Sequence, residues 1–232
     1  MQYRCVATTV EGFVQQVAVS YVANGYFFYV AGSVPANKDP AAVDAKIIDR
    51  YGIAISKWAK ARRKALGQAN LQYIRHERFF LILATHGTHV FFEEEARVIR
   101  DVRRVPIRFA GYSISFRNGH ASVRIEATEY RMLKSFFEDL AVKRNADCLG
   151  KELRAVTFAP YAPVRRQLLT ILRAINRRRK QAGFDPVPRH SLHLRRRAYR
   201  PFELSAERFS SAQTFGEHFG ETFGEKDEID DG

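Results

Sequence analysis

The sequence predicts an α+β protein: an antiparallel β-sheet built from hairpins and covered by helices, with a basic C-terminal helix and a disordered acidic tail. Three observations carry this. Asn-Gly stands twice between β-rich runs, at Asn24-Gly25 and Asn118-Gly119, and both residues tolerate the positive φ that a two-residue hairpin turn requires. Apolar residues recur at helical spacing in other segments, each with a start or stop signal. The order (hairpin, two helices, several strands, helix, loop, helix) segregates strands from helices instead of alternating them.

Along the chain, Phe13 to Val22 reads as the first strand, turning through Ala23, Asn24 and Gly25 into Tyr26 to Gly32. Asp39-Pro40 supplies an N-cap and a first-turn proline, and Val43, Ile47 and Tyr51 follow at helical spacing until Gly52. Ser56 opens a second helix, SKWAKARRKALG, which Gly67 closes. Strands are expected at Leu71–Arg75 and Arg78–Thr85, with Val90–Phe92 as a short third. Asn118-Gly119 then joins Ile107–Phe116 to Ala121–Ile125. After Thr128, the set Tyr130, Leu133, Phe137 and Leu140 marks a helix. A last one runs from Val164 to Gln181 and buries Leu168, Ile171, Leu172 and Ile175 before Gly183. Pro186, Pro188 and Pro201 keep the segment beyond it extended.

With 46% hydrophobic and 27% charged residues among 232, the chain has the composition of a globular protein with a sizeable core. Collagen-like, wholly disordered and disulfide-knit classes are excluded. Cys5 and Cys148 are the only cysteines and form no zinc-finger spacing, so free thiols are expected. The N-terminus lacks the pattern of a signal peptide, and Phe79 to Thr85 is far too short to span a bilayer. A cytoplasmic protein is the expectation, with no membrane partner.

Charge is the strongest functional signal. Lys and Arg number 38 against 25 acidic residues, a net +13, which points to a polyanionic partner, DNA or RNA above all. The balance is uneven. Residues 1–202 carry a net +20 and are expected to form one basic α+β domain, whereas residues 203–232 carry a net −7. That tail contains TFGE, HFGE and TFGE in succession before EKDEIDDG. A Gly-rich tetrapeptide repeat without aliphatic residues cannot build a core. It is expected to be disordered and to compete for the basic surface, to act as a solubilising tail without specific contacts, or to serve as a motif for another protein.

Two basic clusters are candidates for nucleic-acid binding. Residues 164–202 form an Arg-rich helix and extension. On the helix stand Arg166, Arg173, Arg177, Arg178, Arg179 and Lys180, and on the extension Arg195, Arg196 and Arg197. Arg166, Arg173 and Arg177 fall at spacings of seven and four on the side away from the Leu/Ile stripe. The guanidinium fork suits bidentate phosphate contacts. The second cluster is Lys57, Lys60, Arg62, Arg63 and Lys64, on the helix after Ser56. Trp58 and Tyr199 lie beside these clusters, where they would stack on unpaired bases, although a tryptophan more often packs into a core.

The histidines are the second signal. His86-Gly87-Thr88-His89 follows an apolar strand and precedes Glu93–Glu95, and two His with a carboxylate suit a divalent metal. Together with Tyr130 on the helix TEYRMLKSFF, the layout loosely resembles that of HUH nucleases, which initiate rolling-circle replication and transposition. That family sets two metal-binding His on a strand of a small antiparallel sheet and a tyrosine nucleophile on a later helix. The resemblance implies a Mg or Mn ion on His86 and His89 and catalysis by Tyr130. Two departures count against it. Gly87 and Thr88 separate the pair, where one hydrophobic residue would set both His on one strand face, and Lys134 follows Tyr130 by four residues instead of three. The plainer reading makes HGTH a polar loop with His89 hydrogen-bonded to backbone. No GxGxxG, Walker-type GK[ST], GxSxG or HExxH occurs.

Overall fold

A computed structural model describes residues 3–203, and the FGE repeats and acidic run lie outside the described residues. The fold is α+β with two antiparallel sheets. Strands β1 (Phe28–Ser33), β2 (Leu71–His76), β3 (Phe79–Ala84) and β4 (Arg100–Asp101) form a sheet in the order β2-β3-β1-β4. Strands β5 (Ile107–Phe109), β6 (Tyr112–Arg117) and β7 (His120–Ile125) form the other, in sequence order.

The first sheet is apolar on both faces. Along β3, Leu81 and Leu83 point into one core cluster while Ile82 and Ala84 point into another, as the two-residue period of a strand demands. The smaller cluster holds Tyr73, Phe91 and Ile53. Over that face α2 (Pro40–Arg50) is pinned by a buried ion pair. Asp44 accepts from Arg75 Nε and Nη2 at 2.8 Å each and from the Tyr73 hydroxyl at 2.5 Å. The larger cluster joins the other face to the second sheet and to α5 (Ala127–Leu140), α6 (Ala146–Ala155) and α7 (Ala162–Gln181).

Several helices match the sequence reading. Asp39 caps α2 by accepting from the amides of Ala41 and Ala42, and Ser56 caps α3 (Lys57–Ala65) by accepting from Ala59. Four departures have local causes. Phe13 to Val22 is not a strand. It forms α1 (Val10–Gln15), a π-helical stretch (Gln16–Tyr21) and a 3-10 turn (Val22–Asn24). Its buried residues Phe13, Val14, Val17, Ala18, Tyr21 and Val22 repeat every four positions, a helical face that outweighs the β-propensity of Val and Tyr. Asn24-Gly25 is therefore a helix stop. Gly25 sits at φ +89, its N–H donates to Val22 O, and the Tyr26 N–H donates to Tyr21 O, which closes a Schellman motif.

Val90–Phe92 is likewise not a strand but part of α4 (Val90–Glu94), because His89 caps it. The expected strand Ile107–Phe116 is broken by Ala110-Gly111, both at positive φ, into β5 and β6. Asn118-Gly119 does form the expected hairpin turn, with Arg117 paired to His120. The expected loop before the last helix contains α6, capped by Asn145 accepting from the Cys148 amide.

Beyond α7 the chain returns across the molecule. Val187 and Leu192 are buried, Tyr199 exchanges two hydrogen bonds with the Gln15 side chain, and the Thr8 amide donates to Pro201 O. Gly12 permits this approach, since a Cβ there would lie 3.0 Å from Pro201 Cα. Cys5 and Cys148 are free thiols, Cys5 buried and Cys148 half-buried. Among the described residues no helix is long and apolar enough to cross a membrane.

Candidate nucleic-acid interface

Helix α7 is divided lengthwise. Val164, Leu168, Ile171, Leu172 and Ile175 are buried against the larger cluster, and Gln167 seals the edge of β7 by bonding both backbone groups of Ile125. On the opposite side Arg166, Arg173, Arg177 and Lys180 are all exposed. Their offsets of seven, eleven and fourteen residues bring them onto one stripe of the helix. Among the described residues none of these four takes part in an ion pair within 4 Å, so the stripe keeps its charge free of partners.

Two of the expected residues behave differently. Arg179 is buried, with only 3% of its surface exposed. Its Nη1 donates to Ala141 O and Arg144 O at 2.8 and 2.7 Å, its Nε donates to Asp185 O, and its guanidinium lies over the Phe184 ring. It ties the end of α7 to the end of α5 and is not available to a phosphate. Arg178 is exposed but donates to Glu138 O at 2.7 Å and stands 3.6 Å from Asp139. On the extension Arg195, Arg196 and Arg197 are exposed, with Arg196 stacked 4.5 Å above the Tyr161 ring. Lys143 and Arg144, which sequence reading passed over, line one open cleft with Arg179 and Phe184. Only their nearness in space to the end of α7 links them to the Arg-rich segment.

The second cluster stands on a helix with no buried residue. Along α3, Lys57, Arg62 and Lys64 are exposed, while Lys60 and Arg63 are half-buried. Burial lowers the Lys60 ammonium below its ordinary value, and Arg63 donates to Gly52 O. Trp58 is 80% exposed, so it is no core residue. Tyr199, by contrast, is half-buried and packs on the larger cluster.

The histidine loop is built as a helix start. His89 Nδ1 accepts from the Phe91 amide at 3.1 Å and caps α4, and its ring lies beside Tyr51. Burial, aided by Arg63, holds His89 below its ordinary pKa. His86 is exposed. Tyr130 lies on α5, packed on the other core cluster, and burial raises its phenol pKa despite a hydrogen bond with Thr170. Gly87 and Thr88 thus leave one histidine in solvent and commit the other to a backbone amide. Among the described residues no group of three or more His, Cys, Asp or Glu side chains is placed to hold a metal ion.

No protein-family model matches the chain, and no match is found among curated proteins.

Proposed function

We propose that this chain binds nucleic acid, DNA or RNA, through phosphate contacts made by α7 and the extension that follows it. The observation that carries the reading is the stripe Arg166, Arg173, Arg177 and Lys180, exposed opposite a buried Leu/Ile stripe and, among the described residues, free of ion pairs. A helix anchored by one face presents the other without rearrangement, and three of the four cations carry the planar fork that meets a phosphate bidentately. Arg195 and Arg197 extend the same charge beyond the helix. The overall net charge of +13 draws a polyanion to any part of the surface, and the stripe fixes where contact is closest.

The test is fluorescence anisotropy with a labelled DNA duplex and a labelled RNA of mixed sequence at 50 mM salt. Replacing Arg173 and Arg177 together by Glu should weaken binding about tenfold or more, because two contacts become two repulsions. An affinity equal to that of the unaltered chain removes α7 from the interface, and absence of binding by the unaltered chain ends the reading.

A further inference from the structure

Helix α3 is an anomaly of packing. A nine-residue helix normally buries a face, yet α3 buries none. It is held at its edges, by the Ser56 cap, by Asn70 donating to Lys60 O, and by the Gln68 amide donating to Arg63 O. Trp58, Arg62 and Leu66 recur every four residues and so share one side. Trp58 is 80% exposed and Leu66 is 73% exposed, so two large apolar groups stand in water on a surface element that also carries five cations. Among the described residues none of these cations is in an ion pair. Apolar groups rimmed by charge of one sign mark a surface for an occupant that is itself apolar and oppositely charged.

The chain carries such an occupant. Phe215, Phe219 and Phe223 alternate with Glu217, Glu221 and Glu225 in the FGE repeats. Aromatic rings match Trp58 and Leu66, and the carboxylates match Lys57, Arg62 and Lys64. A second copy of α3 is a poor alternative, since a twofold contact would set five cations against five.

Reach is sufficient. Glu203 is held at Thr8, whose neighbour Ala7 donates to Arg75 O at one end of β2, and Asn70 at the other end binds α3. Five residues of strand span about 17 Å, whereas the twelve residues from Glu203 to Phe215 extend up to about 40 Å.

We infer that the Trp58–Arg62–Leu66 face of α3 is the docking site for the chain's own FGE-repeat segment, residues 214–225. This inference is independent of the nucleic-acid reading. A tether of about this length gives millimolar effective concentration, so a contact of about 1 mM intrinsic affinity covers the face about half the time and a tighter one for most of it.

Trp58 is the only tryptophan, so its fluorescence reports on this face alone. The experiment compares acrylamide quenching of the full chain with that of a full-length variant carrying Phe215→Ser, Phe219→Ser and Phe223→Ser, at low salt and several protein concentrations. The expected result is emission at shorter wavelength and about twofold weaker quenching in the unaltered chain, independent of protein concentration. An Arg62→Glu, Lys64→Glu variant should quench like the triple Phe variant. Equal quenching of the unaltered chain and the triple Phe variant overturns the inference. Shielding that grows with protein concentration also overturns it, in favour of contact between copies. Release of shielding by the two charge reversals but not by the Phe changes overturns the aromatic part and reduces the contact to charge alone.

Discussion

Arg177 and Arg179 stand two residues apart with the same side chain and opposite duties. Arg179 continues the buried positions, seven residues after Leu172 and four after Ile175, so helical geometry turns it inward to the carbonyls of Ala141 and Arg144. Its position in that stripe was the signal available in the sequence, overshadowed by the run of basic neighbours. Arg179→Ala should destabilise the protein by about 1–3 kcal/mol, because buried carbonyls lose their donors. Arg177→Ala should shift stability by about 0.5 kcal/mol or less, as for an exposed surface residue. Urea unfolding of the two variants separates them, and equal losses would contradict these assignments. His89 makes a comparable point about pH. Burial favours its neutral form, and the cap uses the unprotonated Nδ1 as acceptor. A pKa held below the ordinary 6.5 means that the unfolded chain takes up the proton first. The stabilisation is therefore full above about pH 6.5 and declines as pH falls towards the folded value. His76, also lowered by burial, adds to the same decline. His89→Asn keeps a cap acceptor without titrating, so its unfolding midpoint should fall less than the unaltered chain's between pH 7.5 and 5.5. The same fall in both proteins would remove His89 from the effect.

At the scale of elements, the fold was most legible where a local rule and the tertiary context agree. Asp39-Pro40, Ser56 and Asn118-Gly119 each fix a boundary by satisfying or redirecting the backbone, and the structure ends its elements there. The segment from Phe13 to Val22 was misleading because its residues favour strands while their four-residue repeat favours a helix, and burial of the repeat decides. In α6 the only buried apolar side chains are Leu149 and Leu153, too few to give a periodic signal. Helix α3 was legible in its ends, and of the two readings of Trp58, exposed stacking surface or core residue, its 80% exposure leaves the first. That fact sets an expectation for stability. Truncating Trp58 or Leu66 to Ala should change the unfolding free energy by only about 0.5 kcal/mol. Phe13→Ala, in a fully buried site, should cost about 3–5 kcal/mol. A large loss in either α3 variant would mean that this face packs within the folded domain.

The whole molecule joins its two sheets through one large cluster and closes itself with the C-terminal extension over α1. Because that extension is bound along Val187, Leu192, Tyr199 and Pro201, the charges between these points are held on the surface instead of trailing from it. The charge imbalance and the Arg-rich stretch were legible in sequence. The outward positions of Arg166, Arg173 and Arg177 were legible in the helical spacing, whereas the ties of Arg178 and Arg179 to the end of α5 come from long-range packing, which leaves no local pattern. The central claim is that the outward stripe of α7 neutralises phosphates, and the salt dependence of duplex DNA binding tests it most directly. With about five or six contacts the slope of log K against log salt should be near −4 to −5. Replacing Arg166, Arg173, Arg177 and Lys180 by Ala should flatten the slope by about 3 to 4. An unchanged slope in that variant would contradict the account.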